Sequence, residues 1–537
     1  MTFFPKTLDI LIVPQKLKWM VLFDHTTIFR GAQMLGNWRL HEEYQSYLLE
    51  KIFPFFESDK DNVLQYSDAL SKLYILDLDP LKPLLAGYYS KTGTPAKNQP
   101  ELIRSFILMS EFRIHSITKW VKKLQANEIL CFMIGLSRSE IHNVGSYYDL
   151  MSRVWLSNPD TEYEFEHSLH SFKRKPRKKL EKNKKQPPRH PGIIQKFVDL
   201  ALEGKTFKSR PELLMQQIFA KIGVEPSAKE GLYGDTKKLH VSGDGTCVNS
   251  GGNSFGNKVC NCIENGNYNC DCKRKFSDPY ARWGWDSYHG QWFYGYTEYL
   301  LSVYNKDLKC DLPLYLRIVQ AQRHDGISAI VALTEAKKLY PQFRFDSFHG
   351  DGAHDNYATY QLLHEWNMKA FIPLNEKGKG NFTYPPHIKV DGNGVPFCIA
   401  GHAMINWGYN PDRCRIKYRC PFALGRIKSC DCKEKCSPSK YGRCIYIKPT
   451  WDLRLFTVIA RGTDEWKTQM KSRTTSERVN KRILNDYGLE LSHTRGKKRT
   501  FWWSLVHSIN VLLDARLKLS SFSFMDLLAE KLLKTAA

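Results

Sequence analysis

Apolar positions along the chain change their spacing three times. Up to about residue 165 they recur at helical intervals: Leu102, Ile103, Phe106 and Ile107 share one face of a run opened by Pro100, where a missing amide hydrogen costs nothing. Helices are also predicted over 116–132, with Trp120, Val121 and Leu124 inward, and over 147–155. Two short helical segments follow within 191–238, the clearer being Pro211–Phe219. From Leu239 the pattern predicts strands over Leu239–Val248, Gln291–Tyr304 and Pro313–Gln320. A helix over Ile327–Leu339, a strand over Phe343–Phe348, a helix over Asn356–Trp366 and a strand over Lys369–Leu374 come next. Between 375 and 465 glycine, proline and cysteine break the pattern, and a strand over Leu453–Ala460 is predicted to close the break. The chain then reads as a helix around Glu477, an apolar helix over Phe501–Leu513 and a leucine- and lysine-rich helical tail.

This succession predicts a multidomain α+β protein. Its parts are a helical region over 1–165, a basic linker over 166–190, a helical connector over 191–238, and an α/β domain over 239–516 interrupted by a cysteine-rich, strand-containing insertion over 375–465, with a helical tail over 517–537. Charge sharpens the picture. Lys plus Arg number 79 against 55 Asp plus Glu, a formal +24, which favours a polyanionic partner, most simply nucleic acid. The excess is densest from Lys173 to Arg189, where ten basic residues and three prolines stand with the single acid Glu181. Lys173, Arg174, Lys175, Arg177, Lys178 and Lys179 are expected to meet phosphates there; a solvated linker is the plainer alternative. Lys6 and Asp9 interrupt the first apolar segment and no window of 18 uninterrupted apolar residues occurs, so neither a signal peptide nor a membrane span is expected, and a cytoplasmic, nucleoid-associated protein is.

Three acids stand out by joint placement. Asp244 ends an apolar approach in Ser242-Gly243-Asp244-Gly245-Thr246, Asp351 follows the fourth strand, and Glu477 lies on the later helix. Each has a plainer reading alone: Asp244 in a turn, the Asp351–Asp355 stretch as a helix cap, Glu477 paired with Arg473 or Lys481. Together they could meet at one sheet edge, where ligands of α/β folds collect. Three carboxylates suit two Mg²⁺ ions about 4 Å apart, Asp244 bridging both, with Asp351 on one and Glu477 on the other, for in-line phosphoryl transfer.

These motifs resemble those of bacterial insertion-sequence transposases with a DDE domain. Asp244-Gly245-Thr246 is similar to the family's first acid, Asp351-Gly352-Ala353-His354-Asp355 to the second, with His354 where many members have tyrosine, and Arg473-Thr474-Thr475-Ser476-Glu477 to the last motif. Gly488 to Gly496, including Arg495, resembles the segment that follows it, and Gly93 to Ile103 the helical amino-terminal domain. The resemblance implies a ribonuclease H-like core holding Mg²⁺ or Mn²⁺, cleavage of double-stranded DNA at terminal repeats, joining of the freed 3′-hydroxyl to target DNA, and a homodimer or larger assembly. It also implies DNA contacts by Arg473, Lys481, Arg482 and Arg495, while Arg282 and the aromatic residues Trp283, Trp285 and Tyr288 suit a DNA channel in which a ring stacks on an unpaired base. A nuclease of the same fold and a non-catalytic zinc-containing DNA-binding protein are the alternatives.

Thirteen of fourteen cysteines lie between Cys247 and Cys444. Cys260, Cys262, Cys270 and Cys272 are symmetric about Gly266; a hairpin turning there would set Cys262 opposite Cys270 and Cys260 opposite Cys272, around one tetrahedral Zn²⁺. Cys414, Cys420, Cys430, Cys432, Cys436 and Cys444 form a second set, expected to hold one or two structural Zn²⁺ that stabilise an insertion short of hydrophobic core.

Overall fold

The structure, a computed structural model, describes residues 33–156, 191–205, 210–258, 260–270, 272, 274–376, 384–432 and 436–536. The basic stretch with Lys173, Arg174, Lys175, Arg177, Lys178 and Lys179 lies outside them.

A mixed sheet positions everything else. Its strands are β1 (Leu239–Asn249), β2 (Arg282–Asp286), β3 (Gln291–Asn305), β4 (Cys310–Gln320), β5 (Phe345–His349) and β6 (Lys369–Phe371). They run in the order β6-β5-β1-β3, and both β4 and β2 pair with β3. β3 is antiparallel to β1 and β4, whereas β5 is parallel to β1 and β6 parallel to β5. β5 is reached from β4 through the helix Asp325–Leu339 and β6 from β5 through Tyr357–Glu365, the crossovers that parallel strands need. Element order and strand direction therefore agree with the alternation in the sequence, except that β2, Arg282–Asp286, is a strand the alternation did not predict.

The helical region packs directly against this sheet through a shared helix. Helix α1 (Gln99–Glu111) begins with Pro100 in its first turn and is buried from Gln99 to Ser110, so it belongs to the core and does not offer its side chains to a DNA groove. The run 116–132 is two helices, Ile117–Ala126 and Glu128–Ile134, because the Asn127 side chain caps the second by accepting from the Leu130 amide at 3.1 Å. Taking α2 as Asp325–Leu339, α3 as Tyr357–Glu365 and α4 as Thr474–Lys481, the long α5 (Lys497–Ser520) is buried on every side from Thr500 to Leu513. A helix without a polar face must be surrounded. Ser504 Oγ donates to Glu298 of β3 at 2.9 Å, while Asn510 donates to the Ile107 carbonyl of α1 at 3.0 Å and Trp502 meets Phe106 edge-on at 5.0 Å. Sheet, α5 and helical region thus form one continuous core rather than separately packed units.

The insertion carries three antiparallel strands, β7 (Ile405–Asn410), β8 (Arg415–Arg419) and β9 (Cys444–Ile447). They bury Ile416, Tyr418 and Ile447 with Ile388, Met404, Leu455 and Phe456. Each such side chain is worth ~1.5–3 kcal/mol, so this part has hydrophobic core of its own, contrary to expectation. The stretch Leu453–Ala460 is a series of turns, not a strand. Its polar groups explain why: Arg454 reaches back to Asp355 through Nε at 2.9 Å and Nη2 at 2.6 Å, and Arg461 Nη2 donates to Tyr360 Oη at 2.9 Å. Two arginines directed inward break the alternation that a strand would need. Asp355, expected as a helix cap, is spent on this ion pair, and Asn356 caps α3 instead.

Candidate functional site

Strand register carries the three acids toward one place. Asp244 lies in the middle of β1 opposite Leu300 of β3, and two residues earlier Ser242 pairs with His349, the last residue of β5. Asp351 follows β5 after Gly350 and starts a short turn by accepting from the Ala353 amide at 3.0 Å. Helix α4 lies across β1, β3 and β4. Ser242 Oγ donates to the Ser472 carbonyl at 2.6 Å, and Ser302 and Ser476 share a hydroxyl contact of 2.7 Å. These small side chains let the helix approach the sheet, and Glu477 follows Ser476.

Asp351 and Glu477 both bear on Asp244. Asp244 is pushed up to about 7, first by burial, then by the charges of Asp325 and Asp351, with Glu477 adding to them and His354 opposing. Asp351 is held below the usual carboxylate range: burial works against its charge, but the His354 hydrogen bond and charge, the Ala353 amide and Arg473 outweigh it. His354, fully buried, moves the other way; burial disfavours the imidazolium, yet Asp351 at 2.6 Å and the nearby Asp325 and Asp244 raise it. Its Nε2 is 2.8 Å from Tyr299 Oη, so the ring is fixed between β3 and Asp351. The residue that departs from the expected tyrosine therefore anchors the second acid. Glu477 is paired with Arg473 one helical turn earlier.

Convergence stops short of a closed carboxylate site. Among the described residues, the group of His, Cys, Asp and Glu whose ligand atoms all lie within 4.8 Å of one another consists of four cysteines, not Asp244, Asp351 and Glu477. Like charges repel, and Arg473 and His354 each draw one acid aside. The sequence reading also missed Asp325, the first residue of α2, which affects Asp244 more than either expected partner does. Its position is that of an ordinary first-turn acid favoured by the helix dipole, so only the tertiary fold distinguishes it.

The remaining expected contacts are scattered. Arg282 donates to the Pro279 and Ala281 carbonyls, Arg495 to the Gly251 carbonyl at 2.9 Å, and Lys481 is exposed on α4. Arg482 is committed to Asp514, in a network with Lys72 and Tyr487 that ties α5 to the helical region. The aromatic residues are better ordered. On the β2–β3 ribbon Trp283 lies opposite Tyr294 and Trp285 opposite Trp292, while Gly284 and Phe293 take the inner face against Ala321. Trp283, Trp285 and Trp292 are 42%, 53% and 64% exposed, so the outer face is not core.

The first cysteine set is gathered on a short excursion. Asn257–Lys258 pairs with Arg274–Lys275, and the chain between turns at Gly266 in the left-handed region. Sγ atoms of Cys260 and Cys270 are 3.5 Å apart and those of Cys262 and Cys272 3.7 Å, so the cross-pairs are offset from the symmetric ones expected. Tetrahedral thiolates around one ion at a bond length of about 2.3 Å would stand roughly 3.8 Å apart, so the four can coordinate a metal ion. Cys270 is drawn down to about 7 by the Cys272 amide and the Cys260 thiol, while Cys262 is pushed up to about 12 by hydrogen bonding to its three neighbours. Among the described residues the second set does not form a group of three or more whose sulfur atoms all lie within 4.8 Å of one another. Cys414 bonds the Pro411 carbonyl at the β7–β8 turn, Cys420 is buried after β8, Cys444 opens β9, and Cys430 and Cys436 act together on Cys432, pushing it up to about 12.

Comparison with protein-family models, with curated proteins and with solved structures gives no match for this chain.

Proposed function

We propose that this chain is a DNA transposase of the DDE type with a ribonuclease H-like sheet, acting through carboxylates that hold two divalent ions. One observation carries the reading: Asp351, just beyond the end of a parallel neighbour, and Glu477, on a helix held against the sheet by the Ser242–Ser472 and Ser302–Ser476 contacts, both bear on Asp244 of the central strand. Strand order and direction support it, since antiparallel β4, β3 and β1 followed by parallel β5 and β6 is the order such a sheet requires, with β2 an addition paired to β3.

The donor set fits a hard cation, being oxygen only. Asp244, Asp351 and Glu477 would hold Mg²⁺ or Mn²⁺, and the bound ions would supply an activated hydroxyl and charge stabilisation for in-line displacement at phosphorus. The protein's own share is placement. His354 fixes Asp351 as a carboxylate, and Asp244 is half-buried in the middle of β1. Glu477, partly exposed on α4, would hold an ion in place of Arg473, and the Arg473 guanidinium would then serve a phosphate. The +24 charge supplies attraction for double-stranded DNA, and a homodimer or larger assembly on paired ends, associated with the nucleoid, is part of the proposal. The four-cysteine cluster would hold structural Zn²⁺ beside the aromatic ribbon, with Phe255 meeting Trp283 at 6.2 Å between ring centres.

The test is incubation of the full chain with DNA carrying its own flanking repeats and Mg²⁺, alongside Asp244→Asn. Cleavage at the repeats followed by joining to a second duplex, absent from the variant, is the expected result. Cleavage without joining makes the protein a nuclease, and DNA binding with no metal-dependent cleavage leaves a non-catalytic binding protein.

A further inference from the structure

We infer that the outer face of the inserted three-stranded sheet grips the phosphate backbone of duplex DNA through Arg415, Lys417 and Arg419; the inference goes beyond the metal-site reading above and does not depend on it. Strand β8 alternates throughout. Ile416 and Tyr418 are buried in the insertion's own core, so Arg415, Lys417 and Arg419 share the opposite face. Positions two apart on a strand stand roughly 6.6 Å from each other, and the three charges therefore form a straight row. Like charges so placed repel one another, and the packing of the insertion gains nothing from them.

The row has no internal counter-charge. Among the described residues no hydrogen bond or ion pair joins any of the three side chains to a carboxylate, whereas Arg454, nearby in the chain, is committed to Asp355. Aromatic rings hold the guanidinium groups instead. Arg415 lies over Tyr446 at 4.0 Å, and Arg419 over Trp407 at 4.3 Å and Tyr441 at 5.4 Å. The register of β7 shifts between Asn406 and Tyr409, with Gly408 in the left-handed region, which turns Tyr409 toward the core while Trp407 stays exposed beside Arg419. A guanidinium lying flat on a ring keeps its in-plane N–H groups for another acceptor, and Arg419 Nε has no hydrogen-bond partner among the described residues. This arrangement selects phosphate over base. Rings that already carry a guanidinium are covered on that side, so what the face offers is charge rather than a stacking platform. Evenly spaced cations on a flat sheet fit an evenly charged rod, and duplex DNA is one.

The test is a salt titration of the full chain on a fluorescent duplex of arbitrary sequence, without Mg²⁺ so that binding is read apart from cleavage. Replacing Arg415, Lys417 and Arg419 together by Gln should weaken binding roughly 10²-fold at 0.1 M salt and lower the slope of log affinity against log salt by about 3. The loss should be the same on duplexes of different sequence, since phosphates carry no base identity. Lys417→Gln alone, which disturbs no ring contact, should lower the slope by about 1. An unchanged slope in the folded triple variant overturns the inference, as does a loss confined to single strands, to RNA or to an acidic polypeptide such as polyglutamate. Should the triple variant melt early, Lys417→Gln decides: a slope equal to that of wild type counts against the face. Metal-dependent cleavage is a separate readout, so either reading can fail while the other stands.

Discussion

Two candidate metal centres in one chain are built by opposite means. The four thiols come from a single turn of chain between Cys260 and Cys272 and already stand 3.5 and 3.7 Å apart in pairs. The carboxylates come from β1, the end of β5 and α4, and they stay apart. The difference is physical. Thiols share protons and hydrogen-bond to one another, so they gather without an ion, whereas carboxylates repel and need a cation to close. A local turn sets the first geometry, and the whole sheet sets the second.

The comparison is broken or sharpened by removing one element at a time. The largest effect is expected at the acids: Asp244→Asn, Asp351→Asn or Glu477→Gln should each lower Mg²⁺-dependent DNA cleavage by ~10³-fold or more, about 4 kcal/mol, with DNA affinity in a binding titration nearly unchanged. Near-normal cleavage by one of them removes that residue from the site. Next in size is the support beneath Asp351. Arg454→Ala leaves the buried Asp355 carboxylate without its bidentate partner and should cost about 3–5 kcal/mol in chemical denaturation; a change within the error of that measurement would show that the insertion is not tied to α3 by this pair.

The cysteine cluster should behave as a local unit. Cys260→Ser with Cys270→Ser is expected to remove about one bound Zn²⁺ per chain by atomic emission and to loosen the aromatic ribbon, read as faster hydrogen exchange over β2, with strands β1 and β5 unaffected. Loss of protection in β1 would mean the two centres are not independent. A smaller effect follows from His354. Its folded value is raised, so its contribution to stability is complete below pH about 6.5 and is lost as pH rises through the higher folded value. Asp351 is lowered, so its contribution is present above pH about 4 and is lost on acidification through its lower folded value. The melting-temperature difference between wild type and His354→Asn, with no metal added, should therefore be greatest between these limits and shrink on the alkaline side. A difference that grows toward pH 9 contradicts the ion pair.

Much of the sheet was legible in the sequence because its long strands alternate or run apolar and its helices keep their period; Leu239–Asn249, Gln291–Asn305 and Asp325–Leu339 fall within a few residues of expectation. Leu453–Ala460 was not legible, since Arg454 and Arg461 find buried partners about a hundred positions away in Asp355 and Tyr360. The wrapping of α5 between sheet and helical region was also hidden, because periodicity reports that a helix is apolar without saying what covers it. In the site, Asp244, Asp351 and Glu477 could be chosen by element order. The influence of Asp325 on Asp244 could not be read that way, because an acid at a helix start is commonplace until the fold sets it near.

The most direct test is crystallographic. Crystals of the full chain on cleaved end DNA, soaked in Mn²⁺, are predicted to show two anomalous peaks about 4 Å apart, both touching Asp244, with Asp351 on one and Glu477 turned away from Arg473 on the other. Peaks absent from this edge of the sheet, with Glu477 still on Arg473, would contradict the account.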